Sequence, residues 1–68
     1  MTIKYFADTD TALIDLGANP AAETREISEY VYIDLYENGK LVSMTIEHAK
    51  ETGMLGELIY KEMESKPA

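Results

Sequence analysis

The stretch YVYIDLYENGKLVSMTIEH, residues 30–48, alternates apolar and polar side chains on either side of Asn38-Gly39. Alternation with period two is the mark of a strand with one face turned to a core, because successive side chains point to opposite sides of a pleated backbone. Asn-Gly is a strong short-range hairpin signal, since both residues tolerate the positive φ of a type I′ turn. YVYIDLY at 30–36 and KLVSMTIE at 40–47 therefore read as two strands of a hairpin, and His48, the one histidine of the chain, ends the second of them.

The same pattern extends toward the N-terminus. TIKYF at 2–6 and TALIDL at 11–16 read as a first hairpin joined by ADTD, whose Asp8 and Asp10 suit a turn by bonding to nearby amides. GANPAA follows as a turn, and ETREI at 23–27 sets threonine and isoleucine between charges as an exposed or edge strand does. Beyond His48 the period changes. Leu55, Leu58, Ile59 and Met63 share one helical stripe, and Glu57 precedes Lys61, and Glu62 precedes Lys66, in the favourable order for helix pairs. Gly53 and Gly56 each cost about 1 kcal/mol inside a helix, so the pattern predicts a helical turn at 48–52, a break near Gly53 and a main helix over 54–64. The expected fold is a single α+β domain over residues 1–68: a meander-like antiparallel sheet of about five strands at 2–47, packed on a helical C-terminus at 48–64, with a tail at 65–68.

Sorting strand residues by parity gives one face of Ile3, Tyr5, Ala12, Ile14, Leu16, Ile27, Val31, Ile33, Leu35, Val42, Met44 and Ile46, the core face that the helix is expected to cover. The other face carries Lys4, Asp15, Glu26, Asp34, Ser43 and Thr45, together with Phe6, Leu13, Tyr32, Tyr36 and Leu41. Two tyrosines and several large apolar side chains exceed what a solvated face needs. They read either as an interface or as cross-strand packing of half-exposed aromatics.

With 68 residues the chain buries a smaller fraction of its surface than a larger domain, so its own core leaves it marginal. No cysteine is present, which excludes disulfides and thiolate zinc sites and makes oligomerisation the expected support. Thirteen acidic residues against six basic ones give a net charge of −7. That surface repels phosphate backbones and anionic membranes and attracts a basic partner. No basic N-terminal region leads into an apolar run, and no apolar stretch approaches the roughly 20 residues that span a bilayer. A soluble cytoplasmic protein without direct nucleic-acid or membrane binding is expected.

Few constellations could carry chemistry. Asp8-Thr9-Asp10 resembles the start of a calcium loop but meets Ala12 and Leu13 where an EF-hand needs an oxygen ligand and a glycine. His48 with Glu47 and Glu51 offers a histidine and a carboxylate one turn apart, against the three or four ligands a transition metal usually takes. Asp8, Asp10 and His48 are the candidate metal ligands on this reading. No nucleophile elbow and no phosphate-binding glycine loop is present, so neither an enzyme nor a cofactor is expected.

ETREIS at 23–28, VYIDLYENGKLVSMTIEHA at 31–49 and IKYFADTDTALIDL at 3–16 together resemble the short prokaryotic proteins grouped as domain of unknown function 2283. The specific positions are Glu23, Thr24, Arg25 and Glu26, then Ile33, Asp34, Gly39, Val42, Ile46 and Ala49, and the resemblance covers residues 2–50. It implies a small antiparallel sheet followed by a short helix, carries over no catalytic residue, and suggests a paired system such as toxin and antitoxin. Members often have an aromatic residue where this chain has Asp15, and Gly53 to Ala68 lie beyond the resemblance. The function expected is a non-enzymatic interaction module. It forms a homodimer or pairs, antitoxin-like, with a small basic protein through Tyr32, Tyr36, Phe6, Leu13 and Leu41 or a sheet edge. The alternative is a small-molecule or metal-binding domain using Asp8, Asp10 or His48.

Overall fold

The computed structural model describes residues 1–64. Five strands form one antiparallel sheet: β1 (Thr2–Phe6), β2 (Thr11–Asp15), β3 (Glu23–Ser28), β4 (Val31–Leu35) and β5 (Leu41–Ile46). Their spatial order is β1-β2-β5-β4-β3. The sheet is thus not a meander from end to end. A β1–β2 hairpin and a β3-β4-β5 meander meet where β2 pairs with β5. The connection at 16–22 carries the chain from β2, second from one edge, to β3 at the other. Leu16 N–H donates to Val42 O and Ala22 N–H to Leu35 O, each at 2.8 Å, so it passes the same end of β5 and β4.

The Asn-Gly hairpin forms with a different turn from the one expected. Gly39 alone takes a positive φ, 84°, and its N–H donates to Tyr36 O while Tyr36 N–H donates to Lys40 O, both at 2.8 Å. This is a three-residue connection with glycine at the left-handed position, and Asn38 contributes through its side chain, Oδ1 accepting from Lys40 N–H at 2.9 Å.

The expected C-terminal helix is absent: among the described residues there is no helix, and the fold is all-β rather than α+β. One turn does close, with Thr52 N–H donating to His48 O at 2.9 Å, and Gly53 ends it at φ 78°. Leu55 N–H then donates to Ala49 O, which folds Leu55 back onto the sheet, and from there Leu58, Ile59, Tyr60 and Met63 run exposed. The glycines leave an uninterrupted stretch too short to offset the cost of helix nucleation. The apolar end of the sheet is already taken by Ala49 and Leu55. Residues 65–68, including Lys66 of the expected Glu62–Lys66 pair, lie outside the described residues.

The core is small. Tyr5, Ala12, Ile46 and Val31 form one row across β1, β2, β5 and β4, and Ala49 and Leu55 close over it. Ala12 is 1% and Ala49 0% exposed, so the two smallest side chains sit where the returning chain crosses the sheet. The next row, Ile3, Ile14, Met44 and Ile33, has no second layer of secondary structure over it and stays half-buried.

Because Gly39 is held at a φ that costs a side chain about 1–2 kcal/mol, Gly39→Ala should lose that much stability in urea denaturation. Gly17→Ala has an ordinary φ and open space around the added methyl, and should be neutral or gain up to about 1 kcal/mol by restricting the unfolded chain.

Candidate functional site

Asp10 is the last residue of the β1–β2 connection and takes a left-handed φ of 53°, which aspartate tolerates better than most residues. Its carbonyl accepts Ala49 N–H at 2.9 Å. Its carboxylate does more: Oδ1 accepts the Tyr5 hydroxyl at 2.7 Å and Lys50 N–H at 2.9 Å, and Oδ2 accepts Glu51 N–H at 3.1 Å. The Tyr5 hydroxyl first, then the two amides, hold the Asp10 carboxyl below its ordinary range, and the same contact pushes the Tyr5 phenol up. The Lys50 ammonium lies over the Tyr5 ring, 4.5 Å from its centroid. One side chain thereby ties the first hairpin to the turn that follows β5.

That turn presents His48, itself left-handed at φ 51°. Its Nδ1 is 2.7 Å from Glu51 Oε2, and its ring lies 4.7 Å from that of Tyr30. Ligand atoms of Asp10, His48 and Glu51 all fall within 4.8 Å of one another. Of the three ligands suggested by sequence, Asp10 and His48 come together and Asp8 is not in the group. Glu51 takes the third place. The signal for it was its position three residues after His48; that Asp10 would join them depends on a contact across 40 residues.

The large side chains of the other sheet face are dispersed. Leu13 and Tyr32 flank Thr45 in the row Lys4, Leu13, Thr45, Tyr32 and Glu26. Phe6 stands opposite Thr11 at the end of the edge strand β1, Tyr36 lies past β4 in the turn, and a register shift brings Leu41 opposite Leu35. The neighbourhood of Tyr32 is acidic: Glu47, then burial, then Glu26 push its phenol up. In the next row Asp34 accepts from Thr24 Oγ1 and, at 2.7 Å, from Ser43 Oγ, and these two hydroxyls hold its carboxyl low. The opposite face, by contrast, carries Ile3, Ile14, Met44 and Ile33 with no charge between them, and ends at the Arg25–Glu23 ion pair on β3. Sequence reasoning assigned that row to a helix and so passed over it as a surface.

An open five-stranded antiparallel sheet, apolar on one face, acidic on the other and fastened at one corner by the Asp10 carboxylate, defines the class of small single-layer β proteins. The chain matches the family described as Protein of unknown function (DUF2283) over residues 2–50, and it belongs to that family. Comparison with curated proteins and with solved structures returns no match. No helix among the described residues is long and apolar enough to cross a membrane.

Asp10 and Asp34 both have carboxyls depressed in the folded chain, from an ordinary value of 3.8. The stability each contributes is present above that unfolded value and is lost as pH falls through the lower folded one. Thermal midpoints should therefore drop as pH is lowered past 3.8. Asp10→Asn should lower the neutral-pH midpoint and flatten this acid limb, and an acid limb of unchanged slope would place the acid sensitivity elsewhere.

Proposed function

We propose that the chain is a non-enzymatic protein–protein interaction module that works as a homodimer, two copies packing the Ile3, Ile14, Met44 and Ile33 face against one another. The observation that carries this reading is that the row crosses four strands without a second layer over it. A sheet face of that kind is stable when packed against another at a separation of about 10 Å. Each of these four side chains is only half-buried, so a second copy set on them removes further apolar area from water. The charge distribution supports a second copy as the occupant: the net charge of −7 would oppose self-association through most surfaces, and this row carries none of it.

The acidic face fits a different role. Glu26, Asp34 and Glu47 around Tyr32 leave that side of such a dimer free to meet a small basic protein, with charge steering the encounter and the tyrosine as anchor. On this reading the antitoxin-like pairing and the homodimer use opposite faces of the same sheet.

Sedimentation or light scattering at micromolar concentration should find a dimer. Met44→Lys puts an ammonium in the centre of the contact and should weaken the dimer roughly 100-fold or more, about 3 kcal/mol. Tyr32→Lys, on the opposite face, should leave it intact. A monomeric wild-type chain, or a dimer lost only in Tyr32→Lys, would overturn the assignment; circular dichroism of both variants checks that the sheet survives.

A further inference from the structure

We propose that Asp10, His48 and Glu51 form a binding site for a divalent transition-metal cation of the zinc type. The site sits where the β1–β2 connection meets the turn after β5, and it joins segments 40 residues apart in the chain. One imidazole nitrogen and two carboxylate oxygens are the donor set that zinc accepts from a protein when water completes a four-coordinate shell. The imidazole argues against magnesium and calcium, which take oxygen ligands.

Each donor is available. A carboxylate has about four lone-pair positions; in Asp10 the Tyr5 hydroxyl and Lys50 N–H occupy two on Oδ1, and Glu51 N–H one on Oδ2, which leaves a position on Oδ2. Those three bonds also fix the carboxylate in place, as the outer partners of a metal ligand do. The His48 Nδ1 already faces Glu51 Oε2 at 2.7 Å, so a cation replaces the proton shared between them. With ligand bonds near 2.0–2.2 Å the donor atoms of a tetrahedral site stand about 3.4 Å apart, so the widest separation, up to 4.8 Å, must close by about 1.4 Å, and the His48–Glu51 pair, now at 2.7 Å, must open to admit the ion. The side chains of His48 and Glu51 are 47% and 72% exposed and free to make that movement. The Lys50 ammonium lies over the Tyr5 ring, 4.5 Å from its centroid.

Zinc bound here ties the β1–β2 connection to the turn that brings Ala49 and Leu55 onto the core, reinforcing by a second route the closure that Asp10 makes alone. For a small chain without disulfides, such a clip is one of the usual supports. Zinc binding here needs no second copy of the chain, and Asp10, His48 and Glu51 lie outside the apolar row.

Zinc chloride titrated into the full chain should raise the thermal midpoint by several degrees and saturate at one ion per chain, while magnesium chloride gives no rise. The ring resonances of His48 should shift with the same stoichiometry. His48→Asn keeps a residue that tolerates the left-handed backbone, and Glu51→Gln changes an exposed side chain; each should weaken zinc roughly ten-fold or more. Should one variant fail to fold, the other carries the test. Absence of a zinc-dependent rise in the wild-type chain would overturn the proposal. So would equal zinc binding in a folded variant, which would mean diffuse binding to the many carboxylates.

Discussion

The pairing of β2 with β5 is what makes one sheet out of two pieces. Each piece is local: β1 and β2 are neighbours in sequence, as are β3, β4 and β5. The register Ala12↔Ile46, Leu13↔Thr45, Ile14↔Met44 and Asp15↔Ser43 joins them, across a chain separation that makes this the entropically expensive contact. The register also decides the core, since it sets Ala12 between Tyr5 and Ile46 and leaves room for Ala49 and Leu55 to cross. A slip by one residue would put Ile14 on the face opposite Met44. Asp10 guards against that slip, because its carboxylate reaches the amides of Lys50 and Glu51 just past the end of the β2–β5 ladder.

Strand content was legible because local patterns carried it. Period-two alternation at 30–36 and 40–47, the Asn38-Gly39 turn and the charged edge strand at 23–27 all concern neighbours in sequence, and the observed strands fall on them. Strand order was not legible, for it depends on the β2–β5 contact, which no local signal announces. The helix failed for a related reason. Leu55, Leu58, Ile59 and Met63 do repeat at helical spacing, but periodicity describes only how side chains would line up in a helix. Whether the helix forms depends on the glycines within it, and here Gly53, at a left-handed φ, ends the one turn that closes.

The corner site shows the same division. His48 and Glu51 lie one turn apart in sequence and could be paired by spacing alone. Asp10 could be picked out as a turn aspartate, with Asp8 as its equal. What separates the two is that Asp10 adopts the left-handed conformation at the end of the connection and faces the later turn, whereas Asp8 remains exposed in the connection. Tyr5, read as one apolar residue among several, supplies the hydroxyl that fixes the carboxylate.

Loss of the expected helix changes how the surface is understood. With a helix in place, the Ile3, Ile14, Met44 and Ile33 row would be interior and the tyrosine face would be the natural place to look for a partner. Without it, the apolar row is the surface that still needs cover, and Tyr32 lies among carboxylates that suit an oppositely charged neighbour better than a second copy of the same chain. A single-layer sheet has two faces to satisfy, and this one is built so that they ask for different things. Self-association through the apolar face holds or strengthens as salt screens the repulsion between two chains of charge −7, while contacts of the acidic face with a basic partner weaken as ionic strength rises. The two proposed associations of this sheet therefore differ in physical origin as well as in location, and salt concentration alone is enough to tell which face a given partner has used.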